Sequence, residues 1–218
     1  MSQRAEAEAS ASLRRGDAAR ALRLVQRLVE SETAGLPRAH RGPLACRAGC
    51  DFCCHLRVMA TALEVFALLD FAEREFEPDA LTRFKSRVAE TEQALRELAP
   101  DRVLAVNLRC PLLGEDGRCT AYSARPLNCR SYHSLSREAC EKSFRAPEDP
   151  TLGHPQLTAL AELHAGSQGG LIAALRGAGR DERQYELVTA LAEAIRDPES
   201  RRRFEAGQRA FLDPLPIE

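Results

Sequence analysis

The sequence predicts a mainly α protein, a helical bundle with an irregular cysteine-rich metal-binding region and little β structure. Three observations predict it. Apolar residues recur at helical spacing before residue 36 and again after residue 61. Between them, the stretch from Pro37 to Leu56 keeps no sustained period. All eight cysteines fall between Cys46 and Cys140, and four of them, Cys46, Cys50, Cys53 and Cys54, lie within nine residues. Thiols used only for packing would be spread over the apolar faces of every helix, whereas a metal or cluster needs several soft sulfurs converging on one point. The adjacent pair Cys53-Cys54 adds a constraint. Neighbours on a helix point about 100 degrees apart and on a strand to opposite faces, so both serve one centre only where the backbone is irregular. Gly49 permits such a bend.

Taken in order, residues 3 to 32 are rich in Ala, Arg, Glu and Leu, with Leu22, Val25, Leu28 and Val29 along one side. They predict one amphipathic helix that begins near Ser10 or Ser12, frays before that, and ends by Gly35-Leu-Pro37. Pro37 to Leu56 is the cysteine-bearing loop. Thr61-Ala-Leu-Glu64 has the capping-box pattern and opens a helix to about residue 76, with Val65, Leu69, Ala72 and Phe76 as its buried stripe and Phe66 alongside. Pro78-Asp79 starts a second helix that runs through Leu81, Phe84, Val88, Leu95 and Leu98 to Ala99-Pro100. The short connection predicts an antiparallel hairpin of the two.

Residues 101 to 140 change character. Asp116-Gly117 marks a tight reversal that brings Cys110 and Cys119 together, and Arg125-Pro126 opens a turn carrying Cys129. A proline-bearing connector from Pro147 to Pro155 leads to a helix through Leu157, Leu160 and Leu163, which Gly166 to Gly170 interrupts or ends. A stronger helix over 181–196 presents Tyr185, Val188, Leu191 and Ile195, and a last short one lies within Ser200 to Phe211. The domains expected are an N-terminal helix over 1–36, a cysteine-cluster metal-binding domain over 37–146 and a C-terminal helical region over 147–218 packed on the same core.

Size and charge exclude several classes. A chain of 218 residues can bury a substantial core and needs no staples, which weakens a disulfide reading. The N-terminal residues are polar and no apolar run is long enough to span a bilayer, so the expectation is a cytoplasmic protein with no membrane contact. Thirty-one basic against thirty-two acidic side chains, with no tryptophan, do not make the footprint of a nucleic-acid binder. The Arg201-Arg202-Arg203 run reads as a solvated helix face. No Ser-His-Asp arrangement, phosphate loop or dinucleotide fingerprint supports a conventional enzyme.

The pattern Cys46-x3-Cys50-x2-Cys53-Cys54, then Cys110-Pro-Leu-Leu, Asp116-Gly117-Arg-Cys119, Tyr122, Arg125-Pro126 and Cys129-Arg130, resembles the zinc- or iron-chelating cysteine-cluster family often called YkgJ-like. The resemblance covers roughly residues 43 to 135. It implies a metal site drawn from Cys46, Cys50, Cys53, Cys54, Cys110, Cys119 and Cys129, holding zinc or iron, the latter including a 4Fe-4S cluster. A related domain in flagellin lysine methylases implies an iron-sulfur centre and methyl transfer, by analogy to one branch only.

The residues alone leave the arrangement open: two four-thiolate zinc sites, one four-thiolate cluster with spare thiols, or a multinuclear site. Cys46, Cys50 and Cys53 are assigned to one centre, closed by a sulfur from the later set. Cys140, outside the resemblance, is expected to be a packed thiol. His55 and His133 are weighed as ligands against structural roles, with the structural role favoured, and His40, His154 and His164 show no partner pattern. Arg125 and Arg130 either offset thiolate charge or make helix-end ion pairs. Tyr122 is expected to fill core space beside the site, and Glu64 to serve the cap. Three functions follow as expectations: a metal-binding protein for structure, storage, delivery or sensing; an iron-sulfur metalloenzyme; or a zinc-stiffened module for a protein partner.

Overall fold

The computed structural model describes residues 1–37 and 42–215, so His40 lies outside the described residues. The chain is mainly helical. Among the described residues the helices are α1 (Ser2–Leu13), α2 (Ala18–Gly35), α3 (Ala62–Glu75), α4 (Pro78–Arg96), α5 (Leu127–Ser131), α6 (Arg137–Arg145), α7 (Thr158–Gly177), α8 (Leu187–Arg196) and α9 (Glu199–Glu205). Two short strands, β1 (Met59–Thr61) and β2 (Gln184–Glu186), pair antiparallel with Ala60 opposite Tyr185.

The single N-terminal helix expected from the sequence is two helices, and the first starts at Ser2. Gly16 at φ 77° ends α1. The Gly16 N–H reaches the Leu13 carbonyl at 2.9 Å and the Asp17 N–H reaches that of Ser12 at 3.0 Å, the paired bonds of a glycine-terminated helix. Asp17 then caps α2 by accepting the Arg20 N–H at 2.9 Å. α1 is ordered because it lies on α7, where Ala5 and Ala9 are fully buried.

The glycines of α7 make that contact and do not end the helix. A Cβ on Gly170 would stand 2.4 Å from the Ser2 carbonyl oxygen and 2.7 Å from the Ala5 Cβ, and one on Gly166 3.1 Å from the Met1 Cβ. Two helices approach this closely only where one of them lacks side chains.

The capping box of α3 forms as expected, with Thr61 and Glu64 each accepting from the other's backbone N–H. The α3–α4 hairpin is not the closest packing of either helix: α4 lies chiefly on α8, and α3 touches α8 as well. α8 begins at Leu187 and not at 181, because residues 184–186 serve as the partner strand of β1 and the Glu186 carboxylate caps the helix by accepting the Thr189 N–H at 2.8 Å. One continuous apolar cluster joins Ala5 and Ala9 of α1 to Val65 and Leu68 of α3, Leu171 of α7 and Phe211 near the end of the chain. Phe211 sits fully buried among Phe66 and Tyr185, with ring centroids 5.4 and 5.0 Å away.

The arginine run is paired with acids, and only Arg202 lies on the solvated face expected of it, the Arg203 side chain being largely buried. Arg201 pairs with Asp70, Arg202 with Glu199 at 2.7 Å, and Arg203 with Asp197 at 2.8 Å. Glu92 of α4, buried, accepts from Arg196 of α8 and from Arg96 at 2.9 Å. Burial alone would push its carboxyl up, but the two guanidiniums outweigh it and hold the group below the usual carboxylate range. A depressed acid stabilises the fold above its unfolded pKa and loses that stability as pH falls through the folded one. Glu92→Gln should therefore cost about 2 kcal/mol near neutral pH, and the gap from wild type should close on acidification in urea titrations run across pH.

Candidate metal centre

The first cysteine loop turns on Gly49 at φ 83°, after which the Cys50 N–H bonds the Arg47 carbonyl at 3.0 Å. A 3-10 turn over Phe52–His55 follows, closed by the Cys54 N–H on the Asp51 carbonyl at 2.8 Å. This is the irregular backbone that the vicinal pair demanded.

The second cysteine segment is laid directly on the first. The Cys110 N–H bonds the Cys54 carbonyl at 2.8 Å and the Leu108 N–H bonds the His55 carbonyl at 3.1 Å. Asp116-Gly117 makes the expected reversal, with Gly117 at φ 73° and Leu113 bridged to Cys119. The two turns meet backbone to backbone: a Cβ on Gly117 would stand 3.0 Å from the Gly49 carbonyl oxygen. Gly117 is thus required twice, for its conformation and for this approach, and Gly49 for its conformation, since a Cβ there would meet the Asp116 carbonyl oxygen at an ordinary 3.7 Å.

Cys129 is delivered by α5, a five-residue helix too short to hold itself. Its start is held by Glu64, 1% exposed. One carboxylate oxygen accepts the Thr61 N–H and hydroxyl, each at 2.8 Å, and the other accepts the Leu127 N–H at 2.7 Å. The residue assigned to the α3 cap therefore also fixes the helix bearing Cys129. Cys140 rides on α6, capped by Ser136, which accepts the Ala139 N–H at 3.1 Å. α6 seats on the 3-10 turn through Phe144, whose ring lies 5.4 Å from that of Phe52 and 5.0 Å from that of His55.

The eight thiols line two neighbouring cavities. An inner one of about 60 Å³ is lined by Cys53, Cys54, Cys110, Cys119 and Cys129, and an outer one of about 50 Å³ by Cys46, Cys50, Cys53 and Cys140. Cys53 belongs to the wall between them. Burial pushes the Cys129 thiol well up, and pushes Cys110 up to about 11, with Cys119 beside it adding to the effect. Cys53 is raised first by its hydrogen bond with Cys54 and then by burial; Cys46 and Cys50 are raised by burial. These sulfurs are neutral until something cationic draws them together. Among the described residues no group of three or more His, Cys, Asp or Glu side chains stands already assembled to hold a metal ion, so loading requires the thiols to close in.

The donor set fits a soft metal: it is dominated by sulfurs, from four chain segments, in cavities of small volume. A second observation agrees. The Nε atoms of Arg57 and Arg125, both beside the inner cavity, are buried without a hydrogen-bond partner. Unpaired guanidinium donors facing thiols are the environment an anionic sulfur site would satisfy.

All seven cysteines expected as ligands line one cavity or the other, and Cys140, expected to pack as an inert thiol, lines the outer one with them. His133 is structural: its Nδ1 donates to the Ser131 carbonyl at 2.8 Å and its Nε2 accepts the Leu157 N–H at 3.0 Å. His55 hydrogen-bonds the Asp51 carbonyl at 3.1 Å and lines neither cavity. His154 lines the outer cavity although it had no pattern, while His164 is buried, where burial lowers it to about 4. Arg130 ion-pairs with Glu30 at 2.9 Å, the ordinary alternative, whereas Arg125 faces the inner cavity. Tyr122 does not fill core space: it is 63% exposed, with the Arg125 guanidinium stacked 3.8 Å above its ring. Arg57 and Glu186 also line the inner cavity and went unread, since isolated charged residues far apart in sequence carry no spacing signal.

No curated protein and no solved structure matches the chain. The family model CxxCxxCC, described as "Putative zinc- or iron-chelating domain", matches residues 45–149. Its name spells two residues between the first two cysteines; here there are three, Gly49 among them. The matched stretch begins one residue before Cys46, and it takes in Cys140, which the resemblance read from the residues alone had left out. Residues 45–149, the segment that supplies every thiol of both cavities, thus match the model of a zinc- or iron-chelating domain family.

Proposed function

We propose that the protein is a metal-binding protein that holds metal in two thiolate centres, an inner one of Cys54, Cys110, Cys119 and Cys129 and an outer one of Cys46, Cys50, Cys53 and Cys140. The observation that carries this reading is the division of eight thiols between two cavities that share the wall residue Cys53. Of the arrangements open from sequence it favours two four-sulfur sites over one cluster with spare thiols.

The inner centre suits structural zinc. Its sulfurs come from the 3-10 turn, both arms of the hairpin and α5, so a bound ion would cross-link four segments and supply folding free energy directly. The outer centre sits nearer solvent, since Cys46 is exposed. That exposure favours exchange: delivery, storage or sensing of zinc or iron. Its Cys-x3-Cys-x2-Cys loop also suits three corners of a 4Fe-4S cluster, which supports an iron-sulfur occupant as the second reading.

The test is metal analysis, native mass spectrometry and visible absorption on anaerobically purified protein. Two metal equivalents are expected, or one zinc with one iron-sulfur centre. Cys129→Ser should lose the inner equivalent and keep the outer, and Cys140→Ser the reverse. Protein free of zinc and iron would end the reading, and both variants losing the same single equivalent would end its two-site form.

A further inference from the structure

We infer that Arg57 and Arg125 are the donors that hold and neutralise the sulfurs of the inner centre, and so set how tightly it keeps its metal. This rests on the inner centre proposed above.

Both side chains line the inner cavity, and in both the Nε–H is buried with no acceptor among the described residues. The Arg57 side chain is only 4% exposed. One of its terminal nitrogens donates to the His55 carbonyl at 2.9 Å and the Leu108 carbonyl at 2.8 Å, and so ties the end of the first cysteine turn to the start of the second cysteine segment. Arg125 is held from outside by the Tyr122 ring. Its positive charge faces Cys53, Cys119 and Cys129, while that of Arg57 faces Cys110. The acid on this wall is Glu186, 4.0 Å from Arg57 and already capping α8.

A buried donor without an acceptor is unfavourable, and a neutral thiol is a weak acceptor. Two such donors are therefore an unrelieved cost while the sulfurs are protonated. Four thiolates around one divalent ion leave a double negative charge on the sulfurs, which two guanidiniums offset and hydrogen-bond at once. The arginines thus favour the loaded state over the metal-free one and act as positioning residues.

The experiment reads zinc affinity by competition with a chromophoric chelator, in a Cys140→Ser background so that the inner ion alone is followed. Arg125→Gln should weaken zinc binding about 10- to 100-fold, with Arg125→Lys recovering part of the loss. The melting temperature of the metal-free protein should hardly move, while the increment that zinc adds should shrink, a split that a purely structural arginine would not give. Arg57→Gln should act in the same direction, and because Arg57 also ties two loops, Arg125→Gln decides the matter should that variant not fold. Zinc held as tightly by Arg125→Gln as by its parent overturns the inference and leaves the inner centre standing. A parent that takes up no zinc removes the inner centre itself.

Discussion

Glu64→Ala is expected to lower the unfolding free energy by about 4 kcal/mol, because three buried donors lose their acceptor at once. They are the Thr61 N–H, the Thr61 hydroxyl and the Leu127 N–H. Two of them sit at the start of α3 and the third at the start of α5, so the damage reaches Cys129 two residues on. Urea denaturation measures the first effect, and the rate at which the Cys129 thiol reacts with a disulfide reagent measures the second. Glu64→Gln keeps the shape and one acceptor oxygen and should cost about half as much. A loss under about 1 kcal/mol for Glu64→Ala, or an unchanged thiol rate, would show that α5 is held by something else.

Gly170→Leu is expected to cost about 3 kcal/mol or more by forcing α1 off α7, since even a Cβ there would overlap the backbone of Ser2 and Glu6. The neighbouring position gives the opposite sign. A Cβ on Gly169 would meet only the Ser2 hydroxyl at an ordinary 3.7 Å, so Gly169→Ala should stabilise α7 by up to about 1 kcal/mol. Hydrogen exchange over residues 2–13 should rise sharply in the first variant and stay slow in the second. Equal behaviour of the two would mean that α1 does not depend on close approach.

These two positions mark what the sequence made legible. Thr61 and Glu64 could be read because a cap is a local device, and Glu64's second bond could not, because Leu127 is 63 residues away. The Asp116-Gly117 reversal and the Pro126 start of α5 were legible for the same local reason. The glycines of α7 were misread as breakers: propensity weighs a glycine by what it costs its own helix, while here the partner helix decides. Gly16-Asp17, a stop followed by a cap, was a legible signal passed over within a long Ala- and Arg-rich run. α8 looked longer than it is because Tyr185 keeps the helical phase, and pairing with β1 overrode it.

At the centre itself, the grouping of seven of the eight cysteines was legible from their spacing, while the place of Cys140 and the division into two cavities were not. That division depends on Cys53 standing in the wall between the two cavities while Cys54 lines the inner one, and on α6 folding back onto the 3-10 turn with Cys140. Tyr122 went wrong because an aromatic beside cysteines suggests a core, whereas Arg125 holds it flat against the surface.

The pairing of β1 with β2 has a consequence for the order in which the protein comes together. Cys54 leaves the ribosome well over a hundred residues before Gln184, the first residue of the strand that closes the sheet beside the inner cavity. At about 5–20 residues per second the nascent thiols wait on the order of ten seconds in an unfinished fold. During that interval the sheet beside the inner cavity is unfinished, so the sulfurs lining it are more open to solvent than in the completed fold.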